Sequence, residues 1–373
     1  MTTIAVAGAL AQRPRRGGHC WAILQYLLGF RRLGHEVIFI DRADSRVIPR
    51  EDGHVSFAAG VMSRNGFDGD YAILLDGGRQ VGMERDEMLA RARDCALLVN
   101  IMGYLDDAEL MAAFPLRAFL DIDPGFSQMW RELGLHDGYG GHDRFVTVAE
   151  NMGSPDCTIP TCGLRWATTR PPVVLDHWPL QRSPATRLTA VATWRGPYDA
   201  VEYGGRRYGL RAHEFRRFAA IPRLTGEAVE LVLDIDPADH RDREVLEQNG
   251  WVLRDPEVTA DPDDYRDYVQ RSGGEWMVAK GMYVSTCSGW FSDRSVCYLA
   301  SGRPVVAQDT GWTRHVTSGL GLLPFSTVEE ATAAVETVRA NPDAHARAAR
   351  AVAEEAFDSD KVLGRLLDVL GVA

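Results

Sequence analysis

The sequence lacks the features that mark membrane, secreted and metal-stapled proteins. No apolar run approaches the roughly 18 residues that a membrane-spanning helix needs. None of the six cysteines lies in a CxxC pair, and a structural zinc site usually needs two such pairs. No basic segment precedes the first apolar run at Ile4, so no signal peptide is recognised. We therefore expect a cytoplasmic protein with no membrane span and no metal.

Positive charge is also scarce. Arginine and lysine together number 41 against 52 aspartates and glutamates, which gives a net charge of −11. The field of such a chain repels polyphosphates and anionic membranes, so no nucleic-acid partner is expected. A small anionic ligand would need arginines that are concentrated at one place.

Short apolar runs rich in β-branched residues alternate with helical stretches along the chain. The runs of the first half are Ile4–Gly8, Val37–Asp41, Ala72–Asp76, Ala96–Ile101, Ala118–Asp123 and Phe145–Ala149. Those of the second half are Ala190–Thr193, Val229–Asp234, Trp251–Arg254, Met282–Thr286, Pro304–Gln308 and Gly321–Phe325. Continuous apolar strands are typical of parallel sheets that helices cover on both faces. The pattern predicts an α/β protein.

A proline-rich stretch separates the two series of strands. Four prolines fall between residues 170 and 184, and proline removes backbone donors that regular elements need. A chain of 373 residues is long enough for two domains. We predict an N-terminal domain at 1–175, a C-terminal domain at 186–355, and a last helix at 356–373 that crosses back onto the first domain.

The turn after the first predicted strand combines arginines with glycines. Arg13, Arg15 and Arg16 precede Gly17 and Gly18, and an amphipathic helix follows. Paired glycines let a ligand approach the backbone closely, and the start of a helix offers unpaired N–H groups. Guanidinium groups match the geometry of phosphate. The segment predicts an anion cradle, with a solvated basic loop as the alternative.

A second segment near residue 290 has similar chemistry. Ser292 is a good N-cap, Arg294 follows it in the first turn of a short helix, and Gly302 ends that helix. A helix N-terminus with an arginine beside it suits a nucleotide diphosphate.

Both segments resemble GT-B glycosyltransferases. Gly18-His19 stands before the LGHEV of residues 33–37 at a spacing that inverting natural-product members show, while retaining members show Gly-Gly at nearly the same place. The GRPVV of residues 302–306 is similar to the donor half of group 1, spore-maturation-protein-like bacterial members. The resemblance implies two Rossmann-like domains that face each other across a cleft. Residues 296–298 hold no acid where retaining members have a glutamate, so the stereochemical outcome stays open.

The resemblance also implies roles for individual donor-binding residues. By that match, Arg294 contacts the diphosphate and Asp293 contacts the ribose or sugar hydroxyls. Asp309, Thr310 and Gly311 approach the donor sugar. The glycine pair and the N-cap serine described above belong to the same donor site.

A third segment supplies further cations. Arg195 and Arg211 stand where donor domains of this class place basic residues, so we expect a phosphate clamp there. Arg206 and Arg207 are substitutes for either, and a solvated loop is the alternative. Fixed cations stabilise a departing diphosphate without a metal. No cofactor beyond the nucleotide sugar is therefore expected.

His19 is the candidate catalytic base. In the inverting members that it resembles, the histidine at this place takes the proton of the acceptor. With an unperturbed pKa of about 6.5, an imidazole can do so near neutral pH if a carboxylate orients it. Asp121 or Asp123, at the end of a predicted strand, would supply that carboxylate, and Asp123 is preferred. The alternatives are a structural histidine at the helix start and a metal site at the two aspartates.

Together these features predict a hexosyltransferase that moves a sugar from a nucleoside-diphosphate sugar to a hydroxyl of a small, natural-product-like acceptor, as in secondary metabolism. A nucleotide-sugar 2-epimerase on the same fold is one alternative, and a non-catalytic nucleotide-sugar-binding protein is another. An NAD-dependent oxidoreductase is least favoured, because no GxGxxG follows the first strand. The sequence does not show whether the protein is a homodimer, which sugar and base the donor carries, or what the acceptor is.

Overall fold

The computed structural model describes residues 2–43, 51–181, 187–196 and 198–372. The strands of the first half are β1 (Thr3–Gly8), β2 (Glu36–Ala43), β3 (Tyr71–Leu75), β4 (Gln80–Gly82), β5 (Cys95–Ile101), β6 (Arg117–Asp121), β7 (Arg144–Thr147) and β8 (Trp166–Thr168). Its helices are α1 (Gly17–Arg32), α2 (Glu51–Arg64), α3 (Arg85–Asp94), α4 (Ala108–Ala113) and α5 (Phe126–Glu132).

The second half repeats this alternation. Its strands are β9 (Leu188–Thr193), β10 (Val201–Tyr203), β11 (Arg206–Tyr208), β12 (Val229–Asp234), β13 (Trp251–Arg254), β14 (Gly274–Met277), β15 (Val305–Gln308) and β16 (Leu322–Phe325). Its helices are α6 (Arg211–Arg217), α7 (Ile221–Thr225), α8 (His240–Gln248), α9 (Pro262–Arg271), α10 (Gly281–Ser285), α11 (Asp293–Ala300), α12 (Val328–Ala340), α13 (Pro342–Val352) and α14 (Ser359–Leu370).

Each half is built on its own sheet. The first sheet has the strand order β4-β3-β2-β1-β5-β6-β7-β8, and every pair in it is parallel except β3 with β4. The second sheet has the order β13-β12-β9-β14-β15-β16 and is parallel throughout. The predicted α/β class with two Rossmann-like domains is confirmed. None of the helices in the described ranges is long and apolar enough to cross a membrane.

One predicted strand is wrong. Met282–Thr286 was expected to be extended, but this run contains the helix α10, and the strand of this region is β14, a few residues earlier. Both runs are apolar and buried, so periodicity cannot separate them. The acidic Glu275 interrupts the apolar pattern of β14, so the strand cannot be recognised from the sequence, although this side chain is fully buried in the structure. The hairpin of β10 and β11 was not predicted either.

The connection between the sheets runs from the end of β8 at Thr168 to the start of β9 at Leu188. This is the proline-rich stretch in which the domain boundary was predicted. Ser183 and Pro184 within it, and the predicted start of the second domain at residue 186, lie outside the described residues.

The two lobes are packed tightly against each other through α1. A Cβ added to Gly17 would lie 2.6 Å from Cβ of Tyr265 and 2.5 Å from the carbonyl oxygen of Asp261, both in the second half of the chain. The Trp21 indole N–H donates to the carbonyl of Pro262 at 2.8 Å. A single hydrophobic cluster continues from the first sheet through α1 into the second lobe. The helix start can approach α9 this closely because it carries no side chain there.

The last helix, α14, packs on α1 of the first lobe. Leu363 fills the space beside Gly29, where an added Cβ would lie 2.4 Å from Cδ1 of this leucine. Arg32 Nε donates to the carboxylate of Asp360 at 2.9 Å. The chain therefore ends on the lobe in which it began.

The contact between the lobes can be tested at Gly17. In Gly17→Ala the new methyl group meets backbone atoms that cannot move aside easily, so we expect the free energy of unfolding to fall by about 1–3 kcal/mol. Gly364→Ala is the matched control, because nothing lies within 4 Å of an added Cβ at this position in α14. That variant should gain up to about 1 kcal/mol from helix propensity. Urea unfolding measures both, and a Gly17→Ala protein as stable as wild type would contradict the contact.

Candidate functional site

The ends of two central strands, one from each lobe, meet through an ion pair. Asp123 follows β6, and Lys280 follows β14. Lys280 Nζ lies 2.8 Å and 2.5 Å from the two carboxylate oxygens of Asp123, and the Tyr283 hydroxyl donates to the same carboxylate. Gly125, at a φ of 100°, allows the approach, because an added Cβ would lie 2.6 Å from Sδ of Met282.

Two arginines of the second lobe gather around this lysine. The Met282 N–H donates to the carbonyl of Gly209 at 2.9 Å, so the start of α10 lies beside the start of α6. This contact brings Lys280 close to Arg211, and their charges repel each other. Arg211 in turn faces Arg294 in the first turn of α11. We call Arg211, Lys280 and Arg294 the cation cluster.

The three members of the cation cluster differ in how their charge is balanced. Arg294 Nε lies 2.5 Å from Oε1 of the fully buried Glu275. Lys280 has Asp123, but burial still lowers the pKa of this lysine. Arg211 Nε is buried and has no hydrogen-bond partner among the described residues. Burial, and next the charge of Arg294, lower the pKa of Arg211 to about 10. An anion would therefore be held most favourably beside Arg211.

The first lobe adds arginines from the turn before α1. Arg16 spans the cleft, because its guanidinium donates to Asp234 at 2.9 Å and to Thr193 at 3.2 Å, at the ends of β12 and β9. Burial lowers the pKa of Arg13, but the nearby Tyr104, Tyr198 and Asp123 more than offset this and raise it. The basic turn thus contacts the second lobe, while Arg15 and Arg16 remain exposed to solvent.

His19 lies behind these arginines with its tautomer fixed. Its Nε2 is 2.9 Å from the carbonyl oxygen of Ala9. Because a carbonyl can only accept, Nε2 carries the hydrogen in the neutral ring and Nδ1 is left as the acceptor. Burial, and next the charge of Arg13, lower the pKa of His19 to about 4. The imidazole is neutral at pH 7 and, without a ligand, is a weak base.

The predicted pairing of His19 with an aspartate is wrong for this structure. The Asp123 carboxylate is held by Lys280 and Tyr283. The Asp121 carboxylate is buried at the end of β6 and accepts from Gln128 at 2.6 Å. A backbone carbonyl orients the histidine instead, and a carbonyl carries no signature in the sequence.

The predicted donor residues Gly17 and Gly18 have a different structural reason for being glycine. The places where their Cβ atoms would stand are filled by residues 259–265 of the second lobe. Close packing of the lobes therefore explains the absence of side chains. Contact of the backbone N–H groups with a ligand stays a prediction.

Of the predicted cations, Arg211 lies near Arg294, and the segment of Arg195 lies beside the start of α6, because the Ala212 N–H donates to the carbonyl of Trp194 at 3.0 Å. Arg195 is held by Asp239 in a two-point contact, with Nε 2.7 Å from Oδ2. Asp239 lies after β12, on a loop that sequence spacing could not place. Arg206 and Arg207, the named substitutes, lie on exposed positions of β11.

Ser292 and Asp293 form the start of α11 as predicted from the capping pattern. The Ser292 hydroxyl accepts from the backbone N–H of Arg294 at 3.2 Å. Asp293 borders a narrow cavity of about 20 Å³ between the lobes, and burial raises the pKa of this carboxyl. The other lining residues are Ala22, Gln25, Tyr26, Ile122, Val148, Pro171, Pro172, Trp290 and Phe291. The Tyr26 hydroxyl is buried there without a hydrogen-bond partner among the described residues.

The predicted sugar-binding loop at 309–311 is occupied with contacts of its own. Both carboxylate oxygens of Asp309 accept bonds from within its turn, and the Thr310 hydroxyl donates to the carbonyl of Trp290 at 2.6 Å. An added Cβ at Gly311 would lie 2.6 Å from Nδ2 of Asn151, a residue of the first lobe. The loop holds the lobes together, and its contact with a sugar stays a prediction.

A larger cavity of about 780 Å³, open to solvent, lies at the carboxyl ends of the first sheet. We call it the outer pocket. Its lining residues are Gln12, Arg42, Met102, Gly103, Tyr104, Asp106, Ser127, Trp130, His136 and Tyr198. Among the residues that the structure describes, no group of three or more His, Cys, Asp or Glu side chains could hold a metal ion.

Sequence reasoning missed Lys280, which links the two lobes. A signal for it existed, because lysine occurs only twice in the chain, at 280 and 361, while arginine is abundant. Lysine carries its charge on a compact ammonium group, whereas arginine carries it on a planar guanidinium group that pairs best with planar carboxylates. Lys280, which directly follows the apolar residues 276–279, was therefore a candidate site residue. It was overlooked because β14 was not recognised as a strand and residues 274–281 were taken as the connection to a later strand.

Comparison with known proteins adds to this geometry. No family model and no curated protein matches the sequence. Among solved structures, an alpha-glucosyltransferase in complex with UDP is 13% identical and superposes with a TM-score of 0.61 over 100% of both chains. The Anabaena protein Alr3699/HepE in complex with UDP-glucose is 11% identical, with a TM-score of 0.61 over 100% of both chains. The chain has the GT-B fold. The resemblance seen in the sequence is thereby confirmed for the architecture.

The tautomer and the pKa of His19 give a direct test of the site geometry. We expect its imidazole to be the Nε2–H tautomer and to titrate near pH 4, because burial and Arg13 both disfavour the imidazolium. NMR of protein labelled with ¹⁵N at histidine measures both properties, and a His19→Gln variant assigns the signal. A titration near the unperturbed pKa of about 6.5 would contradict the burial of the ring.

Proposed function

We propose that the protein is a glycosyltransferase that moves a sugar from a nucleoside-diphosphate sugar to a hydroxyl of a small-molecule acceptor. The observation that carries the proposal is Arg211, whose buried Nε has no hydrogen-bond partner among the described residues, grouped with Lys280 and Arg294 between two Rossmann-like lobes. With Arg13, four cations stand against three carboxylates, those of Asp123, Glu275 and Asp293, which leaves an excess of positive charge in an acidic chain. A diphosphate supplies the missing negative charge.

The same cations support group transfer rather than binding alone. When the bond between the anomeric carbon and the diphosphate breaks, the electron pair and the growing negative charge stay on the diphosphate. Fixed cations in a site shielded from water stabilise that charge as it develops. Arg211 and Lys280 lie at the starts of α6 and α10, and Arg294 is braced by Glu275, so little rearrangement is needed. The proposal accordingly includes transfer without a metal.

The donor complex would change the partners of Lys280. In the structure this lysine neutralises Asp123, and a diphosphate bound at the cation cluster competes for it. The acceptor hydroxyl then attacks the anomeric carbon and gives its proton to Nδ1 of His19. The negative charge of a diphosphate counters Arg13 and Arg16, which both lower the pKa of His19 in the empty site. Donor binding therefore makes the imidazole a better base.

UDP-glucose is the donor that we favour. The solved structures with the same fold carry UDP or UDP-glucose in their descriptions. One of them is described with DNA as well, but the net charge of −11 on this chain opposes a DNA acceptor. A small acceptor fits this charge better. A homodimer and a cytoplasmic location remain expectations.

The two lysines provide a matched test of the donor site. We expect Lys280→Met to weaken UDP binding at least tenfold, because one of three cations is lost and Asp123 is left facing the diphosphate. Lys361→Met is the control, because this lysine lies on α14 and donates only to the carbonyl of Glu354 at 2.7 Å among the described residues. Isothermal calorimetry with UDP measures both variants. Equal affinities would remove the cation cluster from the donor site.

The reaction is tested with UDP-glucose in the presence of EDTA. We expect release of UDP together with a glucoside of an added hydroxyl compound, and no loss of rate on removal of divalent metals. Formation of the C-2 epimer from UDP-glucose alone would favour the epimerase. Binding of UDP-glucose with no chemical change, over a broad set of acceptors, would favour a non-catalytic binding protein.

A further inference from the structure

The outer pocket is walled by aromatic rings and has balanced charge. Tyr104, Trp130 and Tyr198 line it, together with the ion pair between Arg42 and Asp106. Among the described residues, neither the Tyr104 hydroxyl nor the Trp130 indole N–H has a hydrogen-bond partner. Ring faces bind flat apolar surfaces, and polar groups at their edges bind hydroxyls. The pocket offers both at once, without a net charge from its ion pair.

One wall of this pocket comes from the opposite lobe. Every lining residue belongs to the first half of the chain except Tyr198, which lies between β9 and β10 of the second. The Tyr198 ring packs edge-on against Trp130 with centroids 4.8 Å apart, and it lies 5.5 Å from the ring of Phe126. Both partners are on α5 of the first lobe. The pocket is therefore complete only when the lobes are docked.

The same rings connect the outer pocket to the cation cluster. Lys280 Nζ lies 5.0 Å from the centre of the Phe126 ring, and the Phe126 ring also contacts that of Tyr198. Arg13 lies near Tyr198 and Asp123 together. A ligand in the outer pocket would thus lie next to the rings that contact Lys280.

We infer that the outer pocket binds the acceptor, an uncharged ring compound with an apolar face and hydroxyl groups at its edge, and that Tyr198 determines its binding. This inference rests on the proposed function. A sugar ring and a phenol both have this chemistry, because each presents a flat apolar surface and a hydroxyl nucleophile. Since Tyr198 belongs to the donor lobe, the acceptor site forms only when that lobe is in place.

Binding is measured directly, without reliance on turnover. Saturation-transfer NMR with the whole chain and saturating UDP would use two probes, methyl β-D-glucoside for a sugar ring and 4-methylumbelliferone for a phenol. We expect at least one of them to bind. Methyl β-D-glucuronide, which differs from the glucoside by a carboxylate, should bind at least tenfold more weakly than the glucoside, because Asp106 already neutralises Arg42.

Variants then assign the pocket. We expect Tyr198→Ala to weaken binding of the positive probe at least tenfold while the affinity for UDP stays within twofold. Tyr198→Leu keeps more of the packing but lacks the ring, and it should behave in the same way. Tyr203→Ala is the matched control, because this tyrosine lies in β10, shortly after Tyr198 in the chain, and does not line the pocket. It should bind the probe like wild type, and thermal unfolding monitors the fold of each variant.

The outcomes separate the two proposals. If UDP fails to bind to wild type, the proposed function fails. If UDP binds but neither probe does at millimolar concentration, the outer pocket is not a site for ring compounds and the inference is overturned. If Tyr198→Ala and Tyr203→Ala weaken probe binding equally, the segment that contains both tyrosines supports the fold and Tyr198 has no role in recognition.

Discussion

The contact of Asp123 with Lys280 is the constraint around which the two lobes are arranged. A buried ammonium group is costly unless a carboxylate accompanies it, and here the carboxylate comes from the other lobe, 157 residues earlier in the chain. The pair therefore fixes the distance between the ends of β6 and β14. Arg211 lies beside Lys280 for a second reason, because the Met282 N–H in α10 donates to the carbonyl of Gly209 just before α6. The contact of Asp123 with Lys280 ties this cation cluster to the first lobe.

The glycines of the chain show how one sequence pattern serves two physical purposes. Gly17, Gly125 and Gly311 all lie at the starts of helical segments, where a nucleotide-binding protein would hold its ligand, yet at each of them an added Cβ would meet the opposite lobe. Absence of a side chain permits close approach of any surface, whether ligand or protein. In a protein built around a narrow cleft, the two uses occur side by side. Spacing alone cannot separate them.

The fold was predictable because strands and helices follow from the local pattern of apolar residues. The site was only partly predictable, because the role of each charged side chain depends on ion-pair partners that are distant in the sequence. Runs such as Val229–Asp234 and Trp251–Arg254 are strands with the predicted bounds, since a buried parallel strand needs a continuous apolar segment. Arg211 and Arg294 were found from their places near helix starts. Arg195 was placed in the clamp by the resemblance. The sequence could not show that Asp239, 44 residues away, holds it in an ion pair. Lys280 was missed because its run was assigned to the wrong element.

Ion pairing also explains why arginine content is a poor guide to anion sites in this chain. Many arginines of the described residues lie against a carboxylate, as Arg16 does with Asp234 and Arg85 with Asp107. In an acidic protein a guanidinium finds a partner readily, so an arginine near a helix start carries little information by itself. Arg211 differs, because Arg294 repels it and its buried Nε has no hydrogen-bond partner among the described residues. Asp123 and Asp293 offset this only in part, since the pKa of Arg211 stays lowered. A further anion in the cleft would improve its surroundings, and this is the physical basis for placing the diphosphate there.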